Sequence, residues 1–506
     1  MNMKRMGKNI WILVCLLGIC GCSNFLDEVS QNEMRPSSAD DLQQLLMGEV
    51  YSAGHSENVF HLYLDMMTDD VACVYSKDQM VQQYYKRYWP VYTWQFDMFE
   101  QLENSSVQGA DTYDHYYRCI KGCNVVLDML DKVTGSEGQK ANVKGQSLAM
   151  RGYFYFMLVN LFAKPYNAPG IDLEKAPGVP LITTSEVSDE YPKRASIAKV
   201  YSRIEMDLLE ALPLLREYGG ENSKFKASEM FCYTLLSRLY LYMERWEEAE
   251  KYASLGLAKN SSLFDMANAP YQTWGLAYSP AKNVYGRESD EVIWLGYGNS
   301  YEYDFAQSGF TFVPSTELVQ LYDFTESNVN NRGDLRLRFY YEYMRDFSSP
   351  LLDFKIKYGI RKEYTVETNY PIKGMRVAEL YLNRAEANIR RYLQNGEEHL
   401  RVSALADLNF LRSSRYDTRN VDYEDVDYSG DDLLTFYKEE RRRELAFEDH
   451  RWFDLRRYGM PEITHVYQGS ESEIPATYVL PQGGDRYVLP IHRSVLDKNY
   501  NLEANP

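Results

Sequence analysis

The sequence is short of the features that mark most common catalytic and membrane-embedded classes. Beyond its first thirty residues the 506-residue chain has no apolar run near the ~20 residues that a membrane-spanning helix needs, so its body reads as soluble. Cysteine is scarce. Beyond residue 22 only Cys73, Cys119, Cys123 and Cys232 remain, too few and too scattered for a disulfide framework. Cys119 and Cys123 share one face of a helical pattern, but zinc would need two further ligands at suitable spacing and the seven histidines are dispersed. Both are assigned to the core. No Gly-x-Ser-x-Gly elbow, Gly-rich phosphate loop or EF-hand spacing occurs. Positive charge is in deficit: 55 Lys and Arg against 73 Asp and Glu give a net charge of −18. Such a surface argues against nucleic acid and anionic lipid head groups as partners.

What is present begins at the start of the chain. Lys4, Arg5 and Lys8 form a basic segment, Ile10 to Ile19 an apolar one, and Cys22 follows the small residue Gly21. This order describes an export signal. Its last residues resemble a bacterial lipobox, in which Cys22 is diacylated and becomes the first residue of the mature chain. Cys20 is the poorer candidate, because bulky Ile19 would occupy the cleavage position. Residues 1–21 are therefore expected to be removed, which deepens the net charge to −21.

Helical periodicity dominates the rest. Ser38 caps a short helix over Ala39–Tyr51, and longer patterns cover Tyr113–Val133, Ala141–Phe162 and Ser196–Leu212. Close pairs follow at Ala227–Met243 with Trp246–Leu257 and at Val377–Leu393 with His399–Leu411, before a last long helix over Asp431–Tyr458. Thr234 to Ala258 looks like a tetratricopeptide unit, with small Ala249 and Ala253 letting two helices approach and Glu244 where such repeats usually carry Gly. The expected architecture is mostly α: a tetratricopeptide-like helical-pair scaffold with long loops and a few short strands, such as Glu291–Leu295 and Arg486–Ile491. Insertions at Tyr51–Thr112, Leu263–Val313, Asn328–Met375 and Tyr416–Gly430 are long enough to carry function.

Several stretches together resemble the SusD/RagB family of outer-membrane lipoproteins, over nearly the whole chain. Cys22-Ser23-Asn24-Phe25-Leu26-Asp27 matches the family's lipid cysteine followed by Phe-Leu-Asp. Ala149 to Phe156 matches its aromatic helix, Gly178-Val179-Pro180-Leu181 and Lys193-Arg194-Ala195-Ser196 follow, and Arg384-Ala385-Glu386-Ala387 fits a later pair. The most specific match runs from Glu440-Arg441-Arg442-Arg443-Glu444-Leu445-Ala446-Phe447-Glu448 through Arg451-Trp452-Phe453-Asp454-Leu455-Arg456-Arg457. His450 and His492 depart from a common glycine and proline, and the chain stops at Pro506 without the frequent Gly-Tyr. The resemblance implies one SusD-like domain over residues 22–506. An N-terminal helical part (22–262) would carry an aromatic insertion at 51–112. A loop-rich region (263–375) and a C-terminal helical part (376–506) with its signature helix at 431–458 would follow. It also implies a surface-exposed, lipid-anchored outer-membrane protein without chemistry or cofactor of its own. Such a protein binds glycans and delivers them to a SusC-like TonB-dependent transporter.

Residues within that frame fit both binding and packing. Glu440, Glu444 and Glu448 recur at i, i+4 with Arg441, Arg451 and Asp454 on adjoining rows. Arginine-paired carboxylates have lowered pKa, the wrong direction for a general acid, so an ion-pair network is expected rather than a catalytic dyad. Asp449-His450 lacks a nucleophile with oxyanion donors and is read as structural. Sugars present an apolar C–H face ringed by hydroxyls, which suits tryptophan and tyrosine platforms. The chain holds 44 tyrosines, and two aromatic clusters lie outside the amphipathic helices. Trp89, Tyr92 and Trp94 form the first candidate platform, and Tyr271, Trp274 and Tyr278 the second. The same rings would also serve to pin loops on the scaffold. Trp246, Trp294 and Trp452 are assigned to packing. Three classes stay open: a glycan-binding transport partner, a surface glycoside hydrolase, and an assembly or peptide-binding module.

Overall fold

In the computed structural model, the described residues are 36–51, 63–75, 79–105, 112–186, 190–220, 223–269, 271–274, 277–280, 284–286, 288–297, 312–322, 333–345, 356–360, 373–417, 423–470 and 472–505. Cys22 and the export signal lie outside them. Helices of seven residues or more are α1 (Ala39–Glu49), α2 (Gln79–Tyr92), α3 (Met98–Asn104), α4 (Thr112–Met129), α5 (Glu137–Phe162) and α6 (Ile197–Tyr218). After them come α7 (Glu229–Tyr242), α8 (Trp246–Lys259), α9 (Val377–Asn395), α10 (Glu398–Ser413), α11 (Gly430–Leu445) and α12 (Arg451–Arg457). No described helix is long and apolar enough to cross a membrane.

Local signals explain most of these ends. Ser38 with Asp41 and Ser136 with Gln139 form capping boxes that start α1 and α5, which is why α5 begins before the expected Ala141. Ser196 and Ser228 accept from Lys199 N–H and Phe231 N–H to start α6 and α7. Almost every residue of α5 from Val143 to Phe162 is buried, so this helix is the axle of the N-terminal half. A Cβ on Gly145 would lie 2.9 Å from Leu215 Cγ, so only glycine lets α6 seat this closely, and Arg151 ties the pair through Asp207 at 2.8 Å. The α7–α8 turn places Glu244 at φ 57°, a left-handed position that explains why similar repeats favour glycine there. A second cluster joins Leu382 and Ile389 of α9, Leu408 and Leu411 of α10, and Leu433 and Tyr437 of α11.

The strands form two-stranded antiparallel ladders. β1 (Val71–Cys73) pairs β5 (Phe312–Pro314), and β2 (Tyr271–Trp274) pairs β3 (Ala277–Pro280). β4 (Val292–Tyr297) pairs β8 (Lys373–Arg376), β6 (Tyr341–Arg345) pairs β7 (Ile356–Ile360), and β9 (Ile463–Tyr467) pairs β10 (Ala476–Leu480).

Three expectations change. The signature helix over 431–458 is two helices, because residues 446–450 leave helical geometry and Phe447 and Asp449 both take φ 60°. That break turns Glu448 onto Arg376 and Asp449 onto Lys373, contacts a continuous helix would not reach. The 51–112 insertion contains α2 and α3, and Pro90 sits inside α2. Residues 486–491 are a short 3₁₀ turn, Asp485–Tyr487, then irregular chain rather than a strand.

Candidate functional site

Two regions gather the candidate residues. In the first, the C-terminal end of α2 meets the β9–β10 ladder. Tyr92 and Trp94 clamp the buried ring of His465: centroid separations are 4.1 and 4.3 Å, with ring planes 9° and 21° apart. The Tyr92 hydroxyl accepts from Cys73 N–H at 3.0 Å, and Trp94 Nε1–H donates to the Met67 carbonyl at 3.0 Å. His465 Nδ1 and Nε2 lie 2.6 and 2.9 Å from the carbonyl oxygens of Tyr92 and Thr68. Burial lowers the His465 pKa, while those two carbonyls pull the other way.

Tyr92 and Trp94 therefore face protein, not ligand. Trp94 is 5 % exposed and holds φ 52°, a conformation that costs a bulky residue of order 1 kcal/mol or more. The indole hydrogen bond and the stack on His465 fix it there. The expectation that these two rings act as sugar platforms is corrected, since no ring face is left for a substrate. Trp89 differs. Its ring is half-buried, edge-on to Tyr478 at 6.2 Å and tilted against Tyr467 at 6.4 Å. Val466 and Val479 on the outward side of the ladder, Ile474 beside it and Phe96 after Trp94 are all exposed. The second candidate platform occupies β2–β3, where Tyr271 pairs with Pro280, Thr273 with Tyr278, and Trp274 with Ala277. The side chains of Tyr271, Trp274 and Tyr278 lie outside the described residues. Trp246, Trp294 and Trp452 are buried, as their patterns imply.

The second region is a charge cluster inside the C-terminal half. Arg336 bonds Asp334 and Glu440 at 2.7 Å each and reaches Glu444 at 3.2 Å. Arg376 contacts Glu444 at 2.6 Å and Glu448 at 2.7 Å, and Arg415 contacts Glu291 at 2.8 Å and Glu444 at 2.9 Å. Tyr285 donates its hydroxyl hydrogen to Glu448. Burial alone would raise the Glu444 pKa; the guanidiniums of Arg415, Arg376 and Arg336 outweigh it and hold the carboxyl well below the usual range. Burial also opposes Glu440 ionisation, and Arg336 and Arg443 overcome it. Such carboxylates stay charged and neutralised, which is unsuited to proton transfer near neutral pH.

Asp65, Lys373 and Asp449 form a smaller buried trio, with Lys373 Nζ at 2.8 and 2.9 Å from the two carboxylates. Burial pushes the Asp65 pKa up to about 7; Lys373 opposes this and Asp449 adds to it. His450 lies beside Glu379 and Arg441 in the same interior. Among the described residues no three His, Cys, Asp or Glu side chains are placed to hold a metal.

Sequence reasoning missed His465, Tyr467 and Tyr478, and also Glu291, Arg336, Arg376 and Arg415. The alternation Ile463-Thr464-His465-Val466-Tyr467 did hold a signal, a histidine at an inward position of a strand.

These features define a mostly α, helical-pair scaffold with an aromatic edge where an insertion meets a C-terminal hairpin. One family model, described as starch-binding and associating with the outer membrane, matches residues 24–241, and the SusD family model matches residues 292–506. The chain belongs to the SusD/RagB family. Among solved structures it is similar to a SusD-like carbohydrate binding protein from Bacteroides vulgatus: TM-score 0.66, 20% identity, covering 92% of this chain and 97% of that one. A SusD superfamily protein from Bacteroides thetaiotaomicron aligns with TM-score 0.65 at 23% identity, covering 93% of this chain and 100% of that one. Another from Bacteroides vulgatus gives TM-score 0.68 at 20% identity, over 93% and 99%. No curated protein sequence matches.

Proposed function

We propose that this protein is a glycan-binding lipoprotein of the bacterial cell surface, anchored in the outer membrane through Cys22. It passes bound oligo- or polysaccharide to a SusC-like TonB-dependent transporter and performs no chemistry itself. The observation that carries the reading is Trp89, a half-open ring flanked by Tyr467 and Tyr478 in a chain of this family. Tyr271, Trp274 and Tyr278 on the β2–β3 hairpin supply the second platform. The description of the N-terminal family model and the carbohydrate-binding relative support a sugar as cargo. The neutralised state of Glu440 and Glu444 supports binding without hydrolysis.

Purified protein run through native gels cast with a panel of polysaccharides tests the cargo. Retardation without product release is expected for at least one glycan. Release of sugars would mark a hydrolase, and free migration in every gel would favour an assembly module. Replacing Cys22 with Ala should move the protein out of the membrane fraction, because a lipid is the proposed anchor. Sedimentation with membranes after a high-salt wash would contradict that.

A further inference from the structure

Nine arginines are buried among the described residues, and eight of them reach a carboxylate within 2.9 Å. Arg456 is the exception. It is 3 % exposed, and one of its nitrogens, Nη2, donates to the Ala163 carbonyl just past the end of α5. Its Nε and Nη1 have no acceptor among the described residues. One helical turn earlier on the same face of α12 stands Trp452, 0 % exposed, whose Nε1–H also lacks an acceptor among those residues. Stacking on Tyr487, at 5.1 Å and 22°, fixes the indole. The buried Tyr242 hydroxyl is without a partner among the described residues too.

Two of these three residues share a character. Arg456 and Trp452 offer donors only, and a whole positive charge comes with them. A buried charge without a counter-charge is far more costly than a missing hydrogen bond. Burial accordingly pulls the Arg456 pKa down to about 10, opposed only by tyrosines. A water molecule would supply lone pairs but leave the charge uncompensated. We propose that Arg456 and Trp452 hold a small monovalent anion, chloride in ordinary buffers. The ion stands where a carboxylate completes each of the other buried arginines. It pins α12 against the end of α5 and belongs to the scaffold, apart from the aromatic edge.

Bromide is the probe. Crystals of the mature protein grown in sodium bromide should show an anomalous peak in contact with the Arg456 guanidinium and Trp452 Nε1. The melting temperature should rise with bromide concentration relative to sodium gluconate at equal ionic strength, as for any ligand of the native state. That rise should vanish in Arg456→Met and shrink in Trp452→Phe, which keeps an aromatic ring and removes the donor. An ordered water, a carboxylate from elsewhere in the chain, or bromide only at surface sites would overturn the proposal. Should Arg456→Met fail to fold, the anomalous peak and the Trp452→Phe titration still decide.

Discussion

The charge cluster around Glu444 and the aromatic edge around Trp89 invert the usual placement of residue types. Carboxylates and guanidiniums lie in the interior at Glu444, and their mutual pairing makes burial tolerable. At Trp89 an indole reaches the surface although a packed core would welcome it. The contrast teaches that residue type alone does not reveal a role, whereas the degree of satisfaction does. A fully paired buried charge holds the fold, and a half-open ring is available to a ligand.

One segment joins the two regions. Asp65 meets Lys373, Asp69 meets Arg451 at 2.7 Å, and Asp70 meets Arg442 at 2.6 Å, so residues 65–70 are tied to the charge network. The carbonyls of Met67 and Thr68 in that segment hold Trp94 and His465. The interior charges thus brace the wall behind the aromatic edge.

The largest effect should come from Glu444→Ala, which removes a carboxylate shared by three buried guanidiniums. Removing one partner of a buried pair costs about 3–5 kcal/mol, and this site belongs at the upper end. Equilibrium denaturation measures it, with glycan affinity per folded molecule expected to be unchanged. Normal stability with lost binding would break the comparison. Trp94→Ala comes next, at about 3 kcal/mol, the lower end for a buried aromatic because Tyr92 and His465 can close part of the gap. It should act on melting far more than on affinity.

A smaller, pH-dependent effect sharpens the link between the regions. The folded pKa of Asp65 lies near 7, above its unfolded value of about 4. The native state therefore binds the extra proton, and stability should fall as pH rises from about 4 to about 7. Asp65→Asn should flatten that slope. Glu440 and Glu444 have the opposite sign, because their lowered pKa stabilises the native state above about pH 4.5 and that contribution fades in stronger acid. A pH titration of chemical stability on both proteins separates the two.

Much of the scaffold was legible in the sequence. Serine caps and 3.6-residue spacing located α5 to α10, and tightly alternating charges foretold an ion-pair network at Glu440 to Glu448. The break after Leu445 was not legible, because Phe447, Trp452 and Leu455 continue an apolar rhythm while the deciding contacts come from Arg376 and Lys373 on β8. Helix α2 was hidden by Pro90 and by rings on every side. The aromatic site was half legible. Its composition was plain, but the burial of Trp94 depends on His465, supplied by a hairpin near the other end of the chain. Local pattern cannot register such a partner.

Trp89→Ala should have the smallest effect on folding, and it tests the central claim most directly. Titration of this variant against whichever glycan the gel panel identifies should be read beside its melting curve. Stacking on an aromatic ring is worth about 1–3 kcal/mol by analogy with bases, so affinity should fall roughly 5- to 150-fold. The melting temperature should move by no more than about 3 °C. Unchanged affinity, or a large drop in melting with affinity intact, would show that Trp89 packs the hairpin and that the ligand is held elsewhere.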